Sequence, residues 1–283
     1  MIYISTSCVK NTKIKDSVVE LAVNGFKNIE LSGGTEHYDD LEVDLLELKS
    51  KYKLNYRCHN YFPPPKKHFV LNLASLDNEI FKVSFEHLRH VIGLSKRLES
   101  DKFAFHAGFF TDIKVREIGK KITKNNLYNQ KASIDRFCSA FKILQEESEG
   151  LDLYIENNVF SKDNFESYKG MNPFMMTSFT EYELLKNRIN FKLLLDVAHL
   201  KVSSKTLKLN WNNEFSNMIQ SSDYIHISNN DGFNDLNYEL NKHSDMFELL
   251  RQSNLENKDF TLEVYSNMDK IKESYETLEE AIL

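Results

Sequence analysis

The chain has 283 residues, of which 41% are hydrophobic and 28% are charged, as in an ordinary globular protein. Its 36 basic and 42 acidic side chains give a formal net charge of −6, which argues against a broad surface for nucleic-acid phosphates. Cys8, Cys58 and Cys138 are scattered and lack the C-x-x-C spacing of a thiolate metal site. There is no apolar stretch of membrane-spanning length and no secretory pattern at the N-terminus. We therefore expect a cytoplasmic protein with free thiols and no membrane partner.

Short apolar segments alternate with longer amphipathic segments along the chain. The predicted strands are 2–5, 27–31, 54–59, 103–106, 151–156, 191–200, 223–228 and 260–264. The clearest predicted helices are 14–25, 40–52, 80–100, 133–147, 178–188 and 245–252. Eight strand–helix pairs without a linker or repeat predict an α/β fold, a single-domain (β/α)8 TIM barrel spanning residues 1–283. Two long connections, 107–130 and 157–177, are typical of active-site lids.

Metal-ligand residue types stand at the ends of the predicted strands. The sixth strand, FKLLLDVAHL, is apolar up to Asp196, and His199 follows three residues later. The other strands end in the same kinds of residue, namely His59, His106, Glu156, His226 and Glu263. The C-terminal ends of barrel strands converge on one mouth. Because burying so many ionisable groups is costly without a compensating cation, we expect a metal site there.

Three carboxylates and an imidazole form the expected donor set, which consists of Glu156, Asp196, His226 and Glu263. This set suits one divalent cation, Mn²⁺, Zn²⁺, Co²⁺ or Mg²⁺, and disfavours a thiolate-type structural zinc. For each residue taken alone, a hydrogen-bonded structural role is the alternative interpretation.

The ordered series FHAGF, YIENN, LLDVAHL, YIHISNNDG and TLEVY resembles the xylose isomerase-like TIM-barrel superfamily, and the resemblance runs from NIELSGG to LEVY. That superfamily includes sugar and sugar-phosphate isomerases and epimerases, inosose dehydratases and endonuclease IV-type DNA repair enzymes. The resemblance implies that Glu156, Asp196, His226 and Glu263 hold the metal, and that Glu156 and Glu263 transfer protons. The loop HNYFPPP is similar to one in a subgroup associated with bacterial surface-polysaccharide gene clusters.

The chain departs from the endonucleases at one predicted ligand. Their three-metal cluster adds three histidines and an Asp-x-His pair, matching here His59, His106, His199 and the segment Asp235-Leu236-Asn237. Asparagine is a poor substitute for imidazole as a ligand, so we do not expect a third metal.

The favoured hypothesis is a metal-dependent sugar, sugar-phosphate or nucleotide-sugar isomerase or epimerase that works through an enediolate. The predicted catalytic pair is Glu156 and Glu263, and the predicted substrate contacts are His59, His106, His199, Asn157, Tyr61 and Phe62. Plain lid packing is the alternative for the two aromatic residues. Lys120 and Lys121 would meet a phosphate or nucleotide portion, or else form a solvated face.

The expected partner is a small carbohydrate, and the resemblance leaves a homo-oligomer open. Three other functions stay open: an endonuclease IV-like hydrolase acting on abasic DNA, an inosose dehydratase-like lyase, and a non-catalytic metal-binding barrel.

Overall fold

Eight parallel strands close into a barrel in the computed structural model, which describes residues 1–282. Each strand pairs with its neighbours in the sequence, and the first pairs with the eighth. The predicted (β/α)8 barrel is therefore confirmed. The strands are β1 Ile2–Ser5, β2 Asn28–Leu31, β3 Asn55–His59, β4 Lys102–His106, β5 Asp152–Glu156, β6 Lys192–Asp196, β7 Ser222–Ile227 and β8 Asp259–Leu262.

Amphipathic helices connect the strands and bury their apolar faces. In the third helix, for example, Leu88, Val91 and Ile92 are buried, and the helix contacts β3 and β4. The helices are α1 Ile14–Val23, α2 Leu41–Tyr52, α3 Asn78–Arg97, α4 Gln130–Glu147, α5 Lys162–Ser167, α6 Phe179–Lys186, α7 Val197–Leu207, α8 Trp211–Gln220, α9 Asp245–Arg251 and α10 Met268–Ile282. Across residues 1–282, the structure contains no helix with both the length and the apolar character needed to cross a bilayer.

The sixth strand is shorter than predicted. It ends at Asp196, and Val197 begins α7, so a strand reaching Leu200 was wrong. The Asp196 side chain caps the helix by accepting a hydrogen bond from the His199 backbone N–H at 2.7 Å. Val197 and Leu200 are apolar because the first turn of α7 is itself buried, which made the turn resemble a continuing strand.

The two long connections pair with each other above the strand ends. Phe109 and Phe174 form an isolated antiparallel bridge, and Phe110 N–H donates to the Pro173 carbonyl at 2.7 Å. The 157–177 connection also contains α5, which the sequence analysis did not predict. These pairings give the region above the strand ends a defined wall.

Polar and aromatic side chains form a buried layer below the strand ends. The rings of Tyr154 and Tyr224 pack edge to face against each other. Together with Ala104 and Leu194 they form a cluster apart from the main core. Near them, the fully buried Arg57 makes a bidentate contact with Asp101 at 2.8 and 2.7 Å. This layer supports the ionisable groups that lie above it.

Candidate active site

The barrel topology brings the predicted strand-end residues together. His106 pairs in register with Glu156, and Asp196 with His226, across neighbouring strands. His59 ends β3, and Glu263 follows directly after β8. Parallel strands expose their C-terminal ends at one side of the barrel, so residues distant in sequence meet there.

Glu156 is at the centre of this group. Its Oε2 atom lies 2.7 Å from His59 Nε2 and 3.2 Å from His106 Nδ1. Its Oε1 atom lies 3.5 Å from His199 Nδ1 and 3.9 Å from His226 Nδ1. Only 1% of the Glu156 residue surface is exposed. The two carboxylate oxygens of this buried side chain therefore face different sets of imidazoles.

Three of the four residues predicted to hold a cation meet in one cluster, and the fourth, Glu263, lies beside His226. One ligand atom from each of Glu156, Asp196 and His226 lies within 4.8 Å of the others. Glu263 Oε2 lies 3.6 Å from His226 Nδ1. Ligands bound at about 2.0–2.2 Å to a common ion are separated by roughly 3–4.4 Å, close to these spacings.

An unsatisfied nitrogen also fits a cation at this position. His226 is completely buried, and its Nδ1 atom has no hydrogen-bond partner among residues 1–282. Buried polar atoms are nearly always satisfied, so this one calls for a ligand. The acidic oxygens around it are donors for a hard or intermediate divalent ion. The residues present therefore fit the expected metal.

The carboxylates differ in their affinity for a proton. Burial acts to raise the pKa of Glu156, but the His106 and His59 imidazoles outweigh burial and hold the pKa well below its usual range. Burial also opposes ionisation of Glu263, yet nearby His226 lowers the Glu263 pKa. At Asp196 burial prevails over the attraction of His199 and raises the pKa. Glu156 and Glu263 are thus the ionised pair at neutral pH.

The imidazoles of His59 and His106 also differ in their affinity for a proton. Burial tends to lower the pKa of His59, but the Glu156 and Glu30 carboxylates raise it above its ordinary value. His106 has a pKa lowered to about 4, mainly because burial disfavours its charged form. His106 is therefore neutral at pH 7 and can accept or donate a hydrogen bond.

Asn157 joins two strands and does not line the cavity. Its side-chain Nδ2 donates to the Asp196 carbonyl at 3.0 Å, and its Oδ1 accepts from the Asp196 N–H at 2.8 Å. The predicted substrate contact thus has a clear structural contribution, which is to fix the end of β6.

The two polar residues of the Asp235–Asn237 segment make different contacts beside the site. Asp235 Oδ2 lies 3.2 Å from His199 Nε2. The Asn237 side chain instead donates to the Glu263 carbonyl at 3.2 Å. Its amide nitrogen also donates to the Ser228 hydroxyl at 3.4 Å, so Asn237 positions the segment that carries Glu263.

The two predicted aromatic contacts occupy different places. Tyr61 lines the cavity, and its hydroxyl accepts a hydrogen bond from Phe69 N–H at 2.8 Å. Phe62 is completely buried in the main core and does not line the cavity. Phe62 is therefore a packing residue in this structure, as the lid-packing alternative predicts.

Glu30 belongs to the site although the sequence analysis did not select it. It lies within β2, is completely buried, and has Oε2 3.0 Å from His226 Nε2. The signal was a single acid between apolar residues in NIEL, one position before the end of the strand. A search confined to strand ends passes over it.

A cavity of about 1300 Å³ opens above these residues. His59, His106, His199, Glu156 and Glu263 line its inner part. The outer part is formed by segments before β2, after β3 and after β4, and includes Lys10, Lys120, Lys121, Val115 and Ile118. Ligand pockets usually measure about 300–1,000 Å³, so this one is large.

The fold and the site define a class of protein: a parallel (β/α)8 barrel with buried carboxylate–histidine clusters, able to hold a metal, at the C-terminal ends of its strands. The family model described as "Xylose isomerase-like TIM barrel" matches residues 18–281. The chain belongs to this family, as its motifs indicated.

Solved structures of the same fold include both epimerases and a nuclease. A D-tagatose 3-epimerase-like protein aligns with a TM-score of 0.73 and 16% identity, covering 99% of this chain and 96% of that one. L-ribulose 3-epimerase aligns at 0.69 and 14%, covering 99% and 94%. Endonuclease IV from Thermus thermophilus aligns at 0.61 and 12%, covering 99% and 98%. No curated protein matches the sequence. At these identities the likeness establishes the shared fold.

Proposed function

We propose that this protein is a metal-dependent sugar isomerase or epimerase that moves a proton through an enediolate. The observation that carries the proposal is a pair of ionised carboxylates, the buried Glu156 and the partly buried Glu263, which lie 3.9 and 3.6 Å from the unsatisfied His226 Nδ1. Epimerases among the proteins of similar structure support the same class.

The two glutamates would act as base and acid. One carboxylate removes the proton from the carbon next to the carbonyl. The other first takes up a proton from solvent and then delivers it to the resulting enediolate, and the first carboxylate releases its proton to solvent. Their lowered pKa values suit the first step, because an ionised carboxylate is the form that accepts a proton. The cation, held by Glu156, Asp196, His226 and Glu263, would stabilise the negative charge that develops on oxygen.

The histidines have separate roles in this proposal. His59 holds Oε2 of Glu156 at 2.7 Å and so fixes the orientation of the carboxylate. His106 lines the cavity and is neutral, which suits hydrogen bonding to a substrate hydroxyl. His199 connects Asp235 with the Glu156 side of the site through its two ring nitrogens.

The cavity supports a substrate larger than a free monosaccharide. Its volume of about 1300 Å³ exceeds the usual range for small ligands. Lys120 and Lys121 are exposed at its outer part, and the acid of that segment, Glu117, is engaged by the Thr123 hydroxyl at 2.6 Å. These features favour a sugar with a phosphate or nucleotide group, consistent with surface-polysaccharide biosynthesis. A homo-oligomer stays a prediction.

Solvent exchange tests the proposed chemistry. The protein is loaded with Mn²⁺ and incubated in D₂O with keto-sugars, sugar phosphates and nucleotide sugars, and the products are analysed by mass spectrometry and NMR. We expect one solvent deuterium at the carbon next to the carbonyl, and none with Glu156→Gln or Glu263→Gln. NMR of the product separates an epimer from an isomer or a dehydrated sugar.

A phosphodiester hydrolase is the second candidate, and one observation favours it. His106, Glu156 and His199 offer ligand atoms within 4.8 Å of one another, which suggests room for a second cation. The net charge of −6 and the committed Asn237 amide count against it. Cleavage of abasic DNA that Glu156→Gln abolishes, with no deuterium in any sugar tested, would replace the first proposal with this one.

A further inference from the structure

A buried carboxylate contacts the far side of the His226 ring. Glu30 Oε2 lies 3.0 Å from His226 Nε2, and both side chains are completely buried. The opposite ring nitrogen, Nδ1, faces Glu263 at 3.6 Å and Glu156 at 3.9 Å. The Nε2 edge of the imidazole thus contacts Glu30, and the Nδ1 edge is directed toward the proposed cation.

Glu30 is itself held in place by hydroxyl groups. Its Oε2 atom accepts hydrogen bonds from the Tyr224 hydroxyl and from Thr261 Oγ1, the latter at 3.0 Å. The Tyr224 ring is packed against the Arg57 guanidinium, whose carbon lies 4.9 Å from the ring centre. Donors from β7 and β8 therefore fix the carboxylate of β2 in one orientation.

This arrangement determines which His226 nitrogen carries a hydrogen. A carboxylate oxygen at 3.0 Å from Nε2 accepts the Nε2–H, which leaves the Nδ1 lone pair for a cation. Donating this hydrogen bond to a carboxylate also makes the imidazole a stronger ligand for a metal. Nε2 has a hydrogen-bond partner in Glu30, whereas Nδ1 has none among residues 1–282 and is the nitrogen left to bind a metal.

We infer that Glu30 is a positioning residue that orients His226 and strengthens its bond to the metal. The inference rests on the metal centre of the proposed function. Glu30 contributes through His226 and touches neither the substrate nor the reacting atoms.

Metal affinity measured by calorimetry tests this role directly. Glu30→Gln keeps the size of the side chain and removes its charge, while Glu30→Asp keeps the charge and withdraws the carboxylate from His226. We expect both variants to bind Mn²⁺ about 10–100-fold more weakly than the wild type. We also expect a changed Co²⁺ absorption spectrum, because that spectrum reports the geometry and strength of the ligands.

Glu181→Gln is the matched control. Glu181 is a partly buried carboxylate in the first turn of α6. It accepts hydrogen bonds from the backbone N–H of Thr177, just before the helix, at 2.6 Å and from the Thr177 hydroxyl at 2.9 Å. Its loss should lower the free energy of unfolding and leave Mn²⁺ affinity and the Co²⁺ spectrum unchanged. The control therefore separates a general loss of stability from a change at the metal.

The outcomes distinguish this inference from the proposed function. Wild-type affinity and an unchanged Co²⁺ spectrum in Glu30→Gln overturn the role of Glu30 alone. If Glu30→Gln does not fold, the same result in Glu30→Asp is decisive. A wild-type protein that binds no divalent cation would instead overturn the metal centre itself.

Discussion

His59 Nε2 lies 2.7 Å from Oε2 of Glu156, and this contact anchors one oxygen of the carboxylate. The other oxygen, Oε1, is directed toward His199 and His226. One side chain can therefore be fixed through one oxygen and take part in chemistry through the other. This relationship makes Glu156 the residue whose chemistry is most directly testable.

Replacing the Glu156 carboxylate should abolish turnover without unfolding the protein. Glu156→Gln keeps nearly the same size but removes the charge and the basic oxygen, so we expect turnover to fall by about 10²–10⁴-fold. Circular dichroism should match the wild type, and Glu181→Gln should keep its turnover. Full activity in Glu156→Gln would show that the acid–base assignment is wrong.

The outer lysines should affect binding of an anionic substrate and leave the chemical step alone. We expect Lys120→Ala combined with Lys121→Ala to raise KM for phosphorylated or nucleotide-linked sugars about tenfold, because charged hydrogen bonds contribute about 1.5–3 kcal/mol. The kcat value should change little. Lys142→Ala, in the exposed face of α4, is the control. An unchanged KM for every anionic sugar would assign the lysines to a solvated face.

Gly108 allows the 107–130 connection to pass close to the segment after β3. A Cβ atom at Gly108 would lie 2.3 Å from the Ala74 Cβ, far inside van der Waals contact. We expect Gly108→Ala to lower the free energy of unfolding by about 1–3 kcal/mol, measured by urea denaturation.

Gly93 provides the comparison for this substitution. A Cβ atom there would lie 3.2 Å from the end of the flexible Arg97 side chain, within α3. Gly93→Ala should therefore leave stability unchanged or raise it by up to about 1 kcal/mol. Equal effects of the two substitutions would contradict the close approach at Gly108.

His87 should make stability depend on pH. Burial, assisted by the charge of His90, lowers the pKa of His87 to about 4. The unfolded chain, with an ordinary histidine pKa of 6.5, binds a proton more readily, so stability falls as the pH drops from about 6.5 to 4. A difference of this size corresponds to about 3 kcal/mol at most.

Comparison with His87→Phe isolates this contribution. The ring lies 5.6 Å from the Tyr61 and Phe69 rings, so phenylalanine keeps the packing and removes the titrating group. We expect urea denaturation to show a smaller loss of stability between pH 6.5 and 4 in this variant. Parallel curves for the two proteins would contradict the lowered pKa.

The sequence was sufficient for the barrel and for most of the site because both depend on periodic patterns. Apolar runs that end in His, Asp or Glu predicted His59, Glu156 and Asp196 at one mouth, and the structure places them there. The end of β6 was harder to predict from the sequence, because Asp196 both ends a strand and caps a helix whose first turn is also apolar.

Other features depended on tertiary contacts that no local pattern records. The acid in NIEL marks Glu30 as unusual, but its partner His226, 3.0 Å away, becomes known only once β2 and β7 are placed. Phe62 is a core residue, although the neighbouring Tyr61 lines the cavity. Helix α8, by contrast, was missed although Trp211, Phe215, Met218 and Ile219 follow helical spacing and so gave a local signal for it.

Anomalous diffraction from crystals grown with Mn²⁺ would locate the proposed cation. We predict a peak at which Glu156, Asp196, His226 Nδ1 and Glu263 all lie within about 2.0–2.4 Å of the ion. A protein that binds no Mn²⁺ in solution, or a peak that these four residues do not share, would contradict it.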